Sequence, residues 1–177
     1  IFIIIILKME KAVDPVNEIG ENVTIADRNQ LLSITKEQAK KIKSLRIENQ
    51  QINNEVCDAP VLYDSGPEQV YFVSCSFSGN GEYILSQFPS VPKIGFIRCN
   101  LSYDLLDDLL CSKDPNVKVQ VLDLTGNNLA KKPKRFVDVL KDKFILVGEL
   151  ILVDNGFDSK IISMIKNICP RIERIYI

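Results

Sequence analysis

Histidine is absent from all 177 residues. Its absence removes the commonest general base, the usual third member of a nucleophilic triad and a frequent partner in mixed metal sites. No catalytic residue, metal site or cofactor is therefore assigned, and the chain is not expected to be an enzyme. An excess of basic charge is also missing. Lys+Arg 22 against Asp+Glu 23 leave a net charge of -1, so no positive field gathers along a phosphate backbone and no direct nucleic-acid preference follows. The five cysteines, Cys57, Cys75, Cys99, Cys111 and Cys169, are odd in number and contain no C-x-x-C pair, which fits a reduced, cytoplasmic setting better than a disulfide framework. Gly79-Asn80-Gly81 lacks the spacing of a phosphate-cradling loop and reads as a turn.

A membrane-spanning run is missing too. The opening stretch from Ile1 to Leu7 is far short of the about 20 apolar residues that cross a bilayer. It reads as a buried first strand in preference to the end of a clipped signal sequence. In a secreted setting the sequons Asn22-Val-Thr24 and Asn100-Leu-Ser102 would be glycan acceptors.

What is present is a recurring frame. Val119, Leu122, Leu124, Asn127 and Leu129 follow the pattern L-x-x-L-x-L-x-x-N-x-L. The same frame takes in Ile42, Leu45, Ile47, Gln50 and Ile52, then Val70, Phe72, Cys75 and Phe77, then Val91, Ile94, Phe96, Cys99 and Leu101. It continues through Val147, Leu150, Leu152, Asn155 and Phe157 to Ile172, Ile175 and Ile177, with a weaker copy at Val23 and Ile25. The fourth positions Leu45, Val70, Ile94, Leu122, Leu150 and Ile175 are spaced 25, 24, 28, 28 and 25 residues apart.

Two apolar residues two apart belong to one face of a short strand, because strand side chains alternate. At the ninth position an Asn can satisfy the backbone of a turn as it is buried, and Cys75 and Cys99 fill that slot as small, unreactive side chains. Helical stripes follow: Leu105, Leu106, Leu109 and Leu110; Phe136, Val137 and Leu140; Ile161, Ile162, Ile165 and Ile168; and Ile84, Leu85 and Phe88. Ser102, Asp158 or Ser159, and Thr35 with Gln38 three residues on, read as N-caps. The stretch from Asn53 to Glu68 carries Pro60 and Pro67 and reads as a loop.

This frame resembles the leucine-rich repeat of the ribonuclease-inhibitor-like or cysteine-containing type, over residues 21–177. Residues 1–20 fit no copy and read as an N-terminal segment or degenerate cap. The resemblance implies an α/β solenoid, a horseshoe with a concave parallel sheet, convex helices and partner binding on the concave face. There the frame places Arg46, Tyr71, Gly95, Asp123, Ile151 and Tyr176 between the inward residues, and Glu48, Val73, Ile97, Thr125 and Val153 after them. Tyr71, Val73, Ile97, Ile151 and Val153 make an apolar centre, and Arg46, Glu48, Arg98 and Asp123 belong to its polar rim. The apolar residues have two readings, a binding patch or plain strand propensity. Asp123 and Asp154 fall on neighbouring copies, either as solvated rim charges or as a carboxylate pair.

The expected function is a non-catalytic interaction module, a subunit or accessory factor bound to another protein or a large complex. The 28-residue spacings also look like those of the GTPase-activating proteins that act on Ran, which would make the chain a GTPase regulator. Cysteine-containing repeats further suggest the substrate-recognition part of a ubiquitin ligase.

Overall fold

Alternation of apolar with polar side chains at period two makes short strands wherever the frame falls. The structure, a computed structural model, describes residues 21–53, 56, 67–78, 91–110, 119–141 and 146–177. The strands are β1 (Asn22–Ile25), β2 (Ser44–Glu48), β3 (Gln51–Ile52), β4 (Gln69–Val73), β5 (Ser76–Phe77), β6 (Lys93–Ile97), β7 (Val119–Asp123), β8 (Leu146–Ile151) and β9 (Ile172–Tyr176). The helices are α1 (Arg28–Ser33), α2 (Lys36–Ala39), α3 (Tyr103–Leu110), α4 (Pro133–Lys141) and α5 (Ser159–Ile168). The opening segment 1–20, the stripe Ile84, Leu85 and Phe88, the turn Gly79-Asn80-Gly81, Cys57, Cys111 and most of the Asn53–Glu68 stretch lie outside the described residues.

The class is α/β, as the sequence leads one to expect. Seven strands form one sheet in the order β1-β2-β4-β6-β7-β8-β9, and β3 pairs with β5 beside it. Every pairing is parallel. The register aligns Val23, Leu45, Val70, Ile94, Leu122, Leu150 and Ile175 in a single row across the sheet. Beside it runs the row Ile25, Ile47, Phe72 and Phe96. Apart from the ends at Val23 and Ile175, these residues are almost wholly buried, each contributing about 1.5–3 kcal/mol of hydrophobic stabilisation. Phe72 and Phe96 stack at 5.4 Å, and Phe77 meets both edge-on at 5.5 Å.

The helices bury their apolar stripes in that same core: Leu106, Leu109 and Leu110 from α3, Phe136, Val137, Val139 and Leu140 from α4, and Ile165 from α5. Ile161, Ile162 and Ile168 are only half-buried against it. Three expected caps are present. Thr35 and Gln38 form a reciprocal capping box, Ser102 Oγ accepts from the Leu105 N–H at 3.1 Å, and Asp158 accepts from the Ile161 N–H at 3.0 Å.

The five inner strands β2, β4, β6, β7 and β8 leave the sheet through left-handed residues: Asn49, Ser74, Arg98, Gly126 and Asp154, with φ of 55, 52, 54, 73 and 57°. Asn and Gly adopt this region at little cost, whereas Ser and Arg pay about 1 kcal/mol for it. The backbone there is tied to the next strand. The N–H groups of Asn49, Ser74, Arg98 and Gly126 donate to the carbonyls of Val73, Ile97, Thr125 and Val153 at 3.0, 2.9, 2.8 and 3.0 Å. The frame does not foretell the register shifts on the two sides of β8, against β7 and against β9. Gly148 sits there at φ 124°, and a Cβ would lie 2.7 Å from the Gln120 carbonyl oxygen, so only glycine fits.

Candidate functional site

Side chains on β2, β4, β6, β7, β8 and β9 that do not enter the core share the open face of the sheet. The register sets Arg46, Tyr71, Gly95, Asp123, Ile151 and Tyr176 side by side in one row, one residue from each successive strand. Glu48, Val73 and Ile97 form a second row, which Thr125 and Val153 extend at the following strand exits.

The sequence reading treats the apolar residues as one patch, and the register divides them. Val73 and Ile97 are neighbours, but Gly95 and Asp123 stand between Tyr71 and Ile151. Tyr71, Val73, Ile97, Ile151 and Val153 are all half-buried, whereas Tyr176 on the edge strand is 42% exposed. Arg98 is not on a strand. It occupies a left-handed exit, lays its Cγ where a side chain at Gly126 would go, and reaches Asp154 at 3.9 Å.

The centre of the row has the most specific geometry. A Cβ on Gly95 would lie 2.5 Å from Tyr71 Cδ1 and 3.3 Å from Asp123 Cβ. The tyrosine ring thus lies across the bare glycine toward the aspartate, which is why Gly95 is buried on an otherwise open face. The Tyr71 hydroxyl donates to Gln69 Oε1 at 3.4 Å. Burial first, and the negative charge of Asp123 second, push the Tyr71 phenol above its ordinary value. Asp123 is fixed from its other side: its Oδ1 accepts from the Thr125 N–H at 2.9 Å and the Thr125 hydroxyl at 2.6 Å. Asp123 and Asp154 therefore take separate partners.

Around this centre the charges are largely matched. Arg46 pairs with Glu48, and Arg174 with Glu149 at 3.0 Å. Such exposed pairs contribute little stability, but they leave few unneutralised charges on the face.

Below the face, the ninth-position side chains satisfy the turns. Asn127 Nδ2 donates to the carbonyls of Phe96 and Leu124 at 2.6 and 2.8 Å, and its Oδ1 accepts from the Cys99 and Leu101 N–H groups at 3.0 and 3.2 Å. Cys99 Sγ donates to the Phe72 and Ile97 carbonyls at 3.3 and 3.4 Å, and Cys75 Sγ to the Ile47 carbonyl at 3.4 Å. Gln50 serves the first of these turns by donating to the Ala26 carbonyl at 2.7 Å. Burial raises the Cys75 thiol and pushes Cys99 up to about 12, so both remain protonated and unreactive at neutral pH. A link absent from the sequence reading is Tyr103, whose hydroxyl donates to the Leu129 carbonyl at 2.7 Å and accepts from the Lys132 N–H at 2.9 Å.

Among the described residues no group of three His, Cys, Asp or Glu side chains gathers as a metal site, and no helix is long and apolar enough to cross a membrane. Compared with known proteins, the chain matches no family model, no curated protein and no solved structure.

Proposed function

We propose that the chain is a leucine-rich-repeat solenoid whose open sheet face docks another protein, as a non-catalytic cytoplasmic subunit or accessory factor of a larger assembly. Three features support the repeat reading. The frame residues pair with one another across the sheet, the exits at 49, 74, 98, 126 and 154 share one backbone conformation, and a Gln, Cys or Asn follows each. Such regularity is what a stack of similar units requires.

Docking is carried by one observation. Tyr71, Val73, Ile97, Ile151 and Val153 lie half-buried on the face, and none of them packs in the core. Apolar side chains without a core role, bordered by matched charges, have the composition of a protein interface. The test is affinity purification from the native cells, with sizing, of the wild type and of Tyr71→Glu and Ile97→Glu. Both substitutions should abolish recovery of a stoichiometric partner while the variants melt as the wild type does. Equal recovery by folded variants, or a free monomer from the wild type, overturns the reading.

A further inference from the structure

Asp123 on the docking face has no basic partner among the described residues, no Lys or Arg of which comes within ion-pair distance. Arg46, in the same row, is engaged with Glu48. Both Thr125 hydrogen bonds go to Asp123 Oδ1, so the carboxylate is oriented from one side while Oδ2 accepts no hydrogen bond from the described residues. A depression lined by Thr24, Ser44, Arg46, Gln69, Tyr71 and Asp123 opens on the same face.

We propose that Tyr71, Gly95 and Asp123 form a notch that receives an arginine side chain of the docked protein. This rests on the docking reading and adds the chemistry of the group recognised. Gly95, by lacking a Cβ, lets the Tyr71 ring lie over the strand beside Asp123. The ring and the carboxylate then offer two surfaces that suit one group. A planar guanidinium stacks on an aromatic face and donates to a carboxylate at its edge, which a lysine ammonium does less well. The half-buried setting of both residues weakens solvent screening and strengthens the pairing over that of a fully exposed ion pair.

The probe is N-acetyl-arginine amide, titrated into the full chain while the Gly95 and Thr125 amide resonances are followed by NMR. Saturable shifts in the millimolar range are expected. They should weaken about fivefold or more in Asp123→Asn, which keeps the oxygen that Thr125 holds, and likewise in Tyr71→Leu, and they should fade in about 0.5 M NaCl. N-acetyl-glutamine amide should leave the resonances in place. Equal shifts with the glutamine probe, or shifts that survive both substitutions, overturn the notch. The two ideas fail separately: a captured partner that Asp123→Asn holds as tightly as the wild type removes the notch and leaves docking intact. Probe binding without any captured partner removes docking alone.

Discussion

Asn155 Oδ1 accepts the backbone N–H of Asn127 at 3.0 Å, and Asn127 does the same for Cys99 at 3.0 Å. Each buried amide therefore holds the turn that carries the ninth-position residue before it, Asn127 or Cys99. Asn127→Ala would strand the Phe96 carbonyl and the Cys99 and Leu101 N–H groups in an apolar interior, while the Leu124 carbonyl keeps the Asn155 Nδ2 donor at 2.8 Å. A loss of about 2–4 kcal/mol is expected, read by urea unfolding. Cys99→Ala, which removes only a weak thiol donor and a small volume, should cost about 1 kcal/mol. Equal losses for the two would show that the amide contributes nothing beyond its bulk.

Gly95→Ala forces the Tyr71 ring aside and should destabilise by about 1–2 kcal/mol. In a Tyr71→Ala background the same change should cost less than half as much, because the two residues share one space. A double-mutant cycle by thermal or urea melting measures the difference, and additivity would place the ring elsewhere.

The raised thiols set an alkaline limit. Cys99 stays protonated when folded up to about 12, against an ordinary value of 9.0. Unfolding therefore releases its proton at any pH between these values. This contribution to stability is complete below about pH 9 and declines as pH rises toward 12. Stability should fall through that window, and Cys99→Ala should flatten the fall. In native protein at pH 8, a thiol reagent should modify the half-buried Cys169 before Cys75 and Cys99.

Tyr103→Phe removes the hydroxyl that bridges the Leu129 carbonyl and the Lys132 N–H. Water can reach that edge, so a loss of only about 0.5–1.5 kcal/mol is expected. Amide exchange should quicken at Lys132, and a rate equal to that of the wild type would show that the bridge does not protect it.

Local patterns were legible in the sequence because their causes are local. An apolar pair two residues apart has to face one way, so Leu45 with Ile47 and Val70 with Phe72 could be read directly, and the recurring frame set them in the register later seen. The Thr35–Gln38 box spans a single turn and is equally plain. Features that depend on where side chains from separate copies point were not legible. Tyr71 leaning over Gly95, and Tyr103 reaching Leu129, join residues 24 and 26 positions apart. No spacing rule specifies a rotamer across that distance. Gly148 at the β7–β8 shift was hidden for a related reason, since the frame counts residues and a bulge changes how many are paired.

In the sheet, each strand's partners are the strands flanking it in the run β1-β2-β4-β6-β7-β8-β9, and the first never meets the last. Such a structure has no keystone. Fraying therefore starts at β1 or β9, the strands with a single neighbour in the sheet. Losing an end strand removes one set of partners and leaves every other pairing in the sheet as it was.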